Sequence, residues 1–190
     1  MYRFELSEAA LDLAIRCHSF RQIPKELKPP WANSIRFASL YDFIEEIEFD
    51  FLRSVYNVSV FGNFICCREA VKRMKKNRNG CIVNITSQAA IFGGTRMTHY
   101  SSSKASINAF TIGLAREVAE FDIRVNAVSP GVIDTDANAN ASKERKGYLK
   151  NSVPLGRFGN SEEVAETVEW LLSDHSSYIT GTVIPVAGGR

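Results

Sequence analysis

Apolar residues recur along this chain in two rhythms. Short unbroken runs stand at Cys81 to Ile85, Ile123 to Val128 and Thr182 to Val186, each beside turn-forming residues such as Asn79-Gly80 and Pro130-Gly131. Runs of this length predict strands buried on both faces, the kind found in parallel sheets. The stretches between them follow the helical period instead. Residues 41–56 predict a helix with Phe43, Ile44, Ile47, Phe51 and Leu52 inward. A second, longer helix follows, with Phe61, Phe64, Ile65, Ala70, Val71 and Met74 at helical spacing. Its basic tail, Lys72, Arg73, Lys75 and Lys76, suits the negative end of the helix dipole.

A third helix is expected from Tyr100 to about Glu120. Ile107, Phe110, Leu114 and Val118 form one stripe, and Ala105, Ala109, Ile112 and Ala119 widen it, enough to cover a partner helix as well as a sheet. Asp134 to Asn151 reads as a mobile loop or a short lid helix. Asn160 or Ser161 caps the last helix, Glu163 stands where a capping box needs it, and Val164, Val168, Leu171 and Leu172 face in. Helix, strand, helix, strand, helix, strand is the order of half a doubly wound α/β sheet.

The first forty residues fit this scheme poorly. Ser7 can cap one short helix running to Ile15, Pro29-Pro30 breaks any helix, and Trp31 to Leu40 makes a strand candidate of weak alternation. Residues 1–40 are therefore set apart as a divergent segment from 41–190. No glycine occurs in the first 61 residues. A dinucleotide-binding turn requires glycines, because the backbone must approach the pyrophosphate closely. The first strands of the sheet, with that turn, are expected to be missing.

Composition narrows the classes. The chain has 190 residues, 45% apolar and 23% charged, with net charge +2. That is an ordinary globular domain without a nucleic-acid footprint. No apolar run has membrane-spanning length, and the start lacks the apolar core of a signal peptide. Cys17, Cys66, Cys67 and Cys81 have no zinc spacing, so no metal site is expected, and a reduced, cytoplasmic protein is.

The chemistry gathers between Asn84 and Lys104. On a helix, Tyr100 and Lys104 lie one turn apart on the same face. An ammonium beside a phenol favours the phenolate and brings it toward working range as an acid or base. Ser87 stands at the end of an apolar run, thirteen positions before the tyrosine. With Asn84-Ile85-Thr86-Ser87, Ser103-Lys104-Ala105 and Arg124-Val125-Asn126-Ala127-Val128-Ser129-Pro130-Gly131, the chain from about residue 45 onward resembles the short-chain dehydrogenase/reductase family, its oxoacyl-carrier-protein-reductase-like and sugar-dehydrogenase-like members in particular.

The resemblance implies a partial Rossmann-like fold. It also implies hydride transfer between NAD or NADP and a small carbonyl or secondary-alcohol substrate, in a homodimer or homotetramer. Tyr100 would move the proton, Ser87 would hold the substrate oxygen, and Lys104 would lower the tyrosine pKa and bond the nicotinamide ribose. Pro130, Gly131, Val132 and Thr135 would receive the nicotinamide carboxamide. The family's relay asparagine has no settled match. Counting back from Gly62 and Phe64 gives Ser59, and counting forward from Phe49-Asp50 gives Tyr56. Asn57 fits if about two residues are inserted. A second reading is a catalytically silent fragment or an oligomerisation partner. His18, His99 and His175 suggest no ligand set, and Asn57-Val58-Ser59 matches a glycosylation sequon by accident.

Overall fold

A computed structural model describes residues 41–135 and 143–190. The helix and strand candidates before residue 41, with Cys17 and His18, lie outside the described residues. Three parallel strands, β1 (Gly80–Ile85), β2 (Ile123–Pro130) and β3 (Val183–Val186), stand in the order β1-β2-β3. Ile82 sits opposite Val125, and Val128 opposite Ile184. Parallel neighbours require long crossovers. Here α3 (Ala89–Phe92) and α4 (Thr98–Val118) link β1 to β2, while α5 (Lys143–Asn151) and α6 (Ser161–Leu172) lie between β2 and β3.

The pleat of β2 explains the layers. Ile123 and Val125 point to one face, where Val71, Ala115 and Val118 meet them and Met74 and Leu114 close the edges. Val128 points to the other face, against Val168 and Leu171 with Val164, Ile179 and Ile184 around them. Helices thus cover both faces of the described sheet, and β2 is buried along nearly its whole length. Among the described residues β1 pairs on one side only.

Two buried asparagines tie the layers together. Asn84 donates to Thr111 Oγ1 at 2.9 Å and accepts from Asn63 at 3.1 Å and from the Cys67 thiol at 3.6 Å. Asn126 donates to the Ile179 carbonyl at 2.8 Å and accepts from the Thr182 N–H at 3.2 Å. Each stands in a strand where an apolar residue is the default, and each is satisfied.

The first expected helix begins later than its pattern suggests. Ile44–Glu46 is a separate 3₁₀ turn, and α1 spans Phe49–Tyr56. The Glu46 carboxylate folds back onto the Phe43 N–H at 3.2 Å, and Ile47 is extended, which cuts the turn off. Phe43 and Ile44 are exposed rather than inward, and the Arg96 guanidinium lies 3.8 Å from the centre of the Phe43 ring.

From Phe49 the chain stays helical to Asn77, through a π turn at Asn57–Phe61 and then α2 (Gly62–Asn77). The wide turn changes the helical phase. Phe61 and Phe64, expected inward, are about half exposed, and Phe64 instead meets the Phe110 ring at 4.1 Å. Ala70 and Val71, a turn or more further on, are buried as expected. Leu172 is also exposed, one step round the helix from the fully buried Leu171. The capping box of α6 forms as read: Asn160 accepts the Glu163 N–H at 2.9 Å, and Glu163 accepts the Asn160 N–H at 2.8 Å.

Candidate active site

Ser87 leaves the sheet two residues beyond β1. The Thr86 N–H still donates to the Val128 carbonyl at 2.9 Å, and the Gln88 N–H to the Pro130 carbonyl at 3.0 Å. Between these anchors the Ser87 hydroxyl accepts the Ala89 N–H at 3.2 Å, a serine turn that starts α3. Gly93 ends that helix with φ +71°, which turns the chain toward α4.

Tyr100 lies in the first turn of α4 and Lys104 one turn on. Two bonds fasten this end of α4 to the end of β1. Thr86 Oγ1 donates to the Lys104 carbonyl at 3.1 Å, and Lys104 Nζ donates to the Ile85 carbonyl at 3.0 Å. Lys104 Nζ is 6.0 Å from the centre of the Tyr100 ring. The Ser87 hydroxyl hydrogen-bonds the phenol itself.

The electrostatics differ from expectation. Burial pushes the Tyr100 phenol up; the Ser87 bond opposes this and Tyr41 adds to it. Burial also pulls the Lys104 ammonium down to about 8. The lysine was expected to lower the tyrosine. In this arrangement desolvation outweighs it, because the ammonium is turned to the Ile85 carbonyl and a charge of either sign is costly there.

A cleft of about 510 Å³ opens at the carboxyl ends of β1 and β2. Ser87, Tyr100, Pro130, Gly131 and Val132 all line it. Gly131 is required by packing: a Cβ there would stand 2.8 Å from Ala187 Cα, and its N–H donates to the Val186 carbonyl at 2.9 Å. Lys104 stands behind the tyrosine, outside the lining. Thr135 is exposed and outside it as well.

Asn57 is the first residue of the π turn and does not line the cleft. Its N–H donates to the Arg53 and Ser54 carbonyls, and its carbonyl accepts the Gly62 N–H. The residues inserted ahead of Gly62 are thus taken up as a wide turn, a feature often found at functional sites.

The cleft also recruits residues the sequence reading passed over: Gln88, Phe92, Met97, Tyr148, Leu149 and Arg190. Gln88 carried a faint signal, a polar residue following Ser87. It is buried, and its amide donates to the Ser129 hydroxyl at 2.9 Å. His99 is packing: it is buried, with its ring edge-on to Phe51 at 5.4 Å. Among the described residues no group of three or more His, Cys, Asp or Glu side chains is placed to hold a metal ion, and no helix is long and apolar enough to cross a membrane.

A parallel sheet with helices on both faces, and a serine and tyrosine sharing the cleft at its carboxyl end, define a Rossmann-type α/β protein of the reductase kind. Comparison with known proteins narrows this. Residues 32–190 match the family model described as enoyl-(acyl carrier protein) reductase. The chain is 43% identical over 152 residues to the uncharacterized oxidoreductase YgfF of Escherichia coli, covering 77% of this chain and 62% of that one. It is 45% identical over 135 residues to the 3-oxoacyl-[acyl-carrier-protein] reductase FabG of Aquifex aeolicus, covering 71% and 54%.

Among solved structures, the 3-oxoacyl-[acyl-carrier protein] reductase of Brucella melitensis superposes with a TM-score of 0.75 at 36% identity, over 77% of this chain and 55% of that one. The acetoin dehydrogenase YohF of Salmonella typhimurium gives 0.69 at 33%, over 78% and 58%. The chain belongs to the short-chain dehydrogenase/reductase family. It spans between 54% and 62% of the length of these two curated relatives.

Proposed function

We propose that this chain interconverts a carbonyl and a secondary alcohol with NAD or NADP, residues 41–190 carrying the proton-transfer and nicotinamide side of the site. The observation that carries the reading is that Ser87 and Tyr100 line one cleft, bonded to each other, with the Lys104 ammonium buried behind them. The raised phenol suits an acid that stays protonated until a substrate oxygen takes its proton. Ser87 then donates to that oxygen as negative charge develops. Lys104 orients the tyrosine end of α4 and bonds the ribose, and Asn57 is the relay candidate.

The cleft fits the nicotinamide end of the cofactor, because it opens at the strand ends and is bounded by the Pro130-Gly131-Val132 backbone. Pro130, Gly131, Val132 and Thr135 would receive the carboxamide. When bound, the nicotinamide supplies or accepts the hydride. The half-exposed Phe61 and Phe64, beside Ile112, favour assembly into a homodimer or homotetramer. A cytoplasmic location belongs to the same reading.

A second reading, a chain that assembles without turning over, is favoured by the absence of glycine before Gly62. Fluorescence titration with NADH and NADPH, followed by a ketone panel, separates the two. Turnover that Tyr100→Phe lowers by about 100-fold or more supports the enzyme. Absence of cofactor binding at millimolar concentration supports the silent chain.

A further inference from the structure

Among the described residues lining the cleft, Arg190 is the one charged side chain, and no carboxylate stands with it. None of the ion pairs between described residues includes Arg190. An exposed guanidinium at a cleft without a counter-charge is a ready partner for an oxyanion, which it can bind through two parallel N–H donors.

Arg190 is not held there loosely. Gly188 and Gly189 turn the chain with φ of +62° and +92°. A Cβ on Gly188 would stand 2.7 Å from Val153 Cγ1, and one on Gly189 would stand 3.0 Å from Pro154. The Gly188 carbonyl accepts the Leu155 N–H at 3.1 Å, and the Arg190 N–H donates to the Ala187 carbonyl at 3.2 Å. The turn after β3 is wedged against residues 153–155 and delivers Arg190 to the cleft.

The rest of the wall is of a different character. Ala89, Phe92, Met97 and Leu149 line it, and Phe92 is 68% exposed. Apolar walls with a few fixed polar groups are the usual make-up of a small-molecule pocket.

We propose that the cleft selects carbonyl compounds with an apolar body and an oxyanion group, a carboxylate or a phosphonate-type group, and that Arg190 is the residue that pairs the anion. The proposal rests on the reading of Tyr100 as the proton donor only for turnover; the anion site itself does not need it.

The test compares benzoylpropionate, its neutral amide and the corresponding phosphonate as substrates. It also measures binding of the non-reacting pair phenylbutyrate and phenylbutyramide by titration calorimetry. The wild-type chain is expected to favour the anions in both measurements, with the two anion types separating carboxylate from phosphonate preference. Arg190→Gln is expected to reduce the anion-to-amide ratio of kcat/KM by about 10- to 100-fold, the range of a hydrogen-bonded charge. The binding ratio should fall by the same factor, and Arg190→Lys should keep part of the preference.

No preference for the anions in the wild type overturns the proposal. So does a ratio that Arg190→Gln leaves intact, or an effect confined to NADH or NADPH affinity. Tyr100-dependent turnover without Arg190 dependence refutes this inference alone. Arg190-dependent binding of phenylbutyrate without turnover of any ketone leaves the anion site standing and refutes the enzymatic reading.

Discussion

Replacing Lys104 with methionine tests whether the buried ammonium is a cost the fold carries. Burial brings Lys104 from 10.5 down to about 8. Each unit between the folded and unfolded pKa corresponds to about 1.4 kcal/mol, so the protonated lysine costs the folded state about 3 kcal/mol at neutral pH. Methionine keeps most of the volume without the charge. Its loss is the donor to the Ile85 carbonyl, about 1–2 kcal/mol, and Ile85 is exposed enough for water to replace that donor.

Lys104→Met is therefore expected to be more stable than wild type at pH 7, by about 1–2 kcal/mol in urea melts. The sign with pH follows from which state holds the extra proton. Between about pH 8 and pH 10.5 the unfolded lysine is still protonated while the folded one has let go, so wild-type stability gains on the variant as pH rises through that window. Taking the difference between the two proteins removes the opposite trend of the buried thiols, whose raised pKa makes them lose stability as pH climbs. A difference that stays flat from pH 7 to about pH 10.5, or a wild type that loses ground, would refute the argument. If Lys104 also serves the tyrosine, the more stable variant will be the less active one.

Three further changes have expected outcomes. Asn84→Ala strands Thr111 and Asn63 and opens a small void, and should cost about 2–4 kcal/mol, read as a lower urea midpoint with unchanged slope. Gly131→Ala drives a Cβ into the Ala187 backbone and should cost about 1–3 kcal/mol; a variant as stable as wild type by thermal melting would contradict the packing described for the cleft floor. Asn160→Ala removes the cap of α6 and should cost about 1 kcal/mol, with Asn160→Ser restoring most of it in the same melts.

The strands were legible because they are buried on both faces, so that Cys81 to Ile85 and Ile123 to Val128 read as unbroken apolar runs. The cap of α6 was legible because it is local chemistry, three residues apart. Ser87 and Tyr100 met in one cleft because one end of a strand and one end of a helix bring them there. The failures have a common physical root. The exposure of Phe43 and Phe61 depends on helix phase, which a 3₁₀ turn and a π turn shift without any change in composition. The direction of the Tyr100 shift depends on burial, which spacing does not report. Arg190 lies far along the chain from Ser87 and reaches the cleft only through the turn after β3.

The widened turn at Asn57–Phe61 has a consequence for how this chain tolerates change in length. A regular helix transmits every added residue as a rotation of about 100° to all that follows. A π turn absorbs an addition where it occurs, so the downstream segment keeps its facing and the strand after it keeps its partners. The stretch between Asn57 and Gly62 is thus an expansion joint: residues can come and go there while the sheet and the cleft above it stay in register.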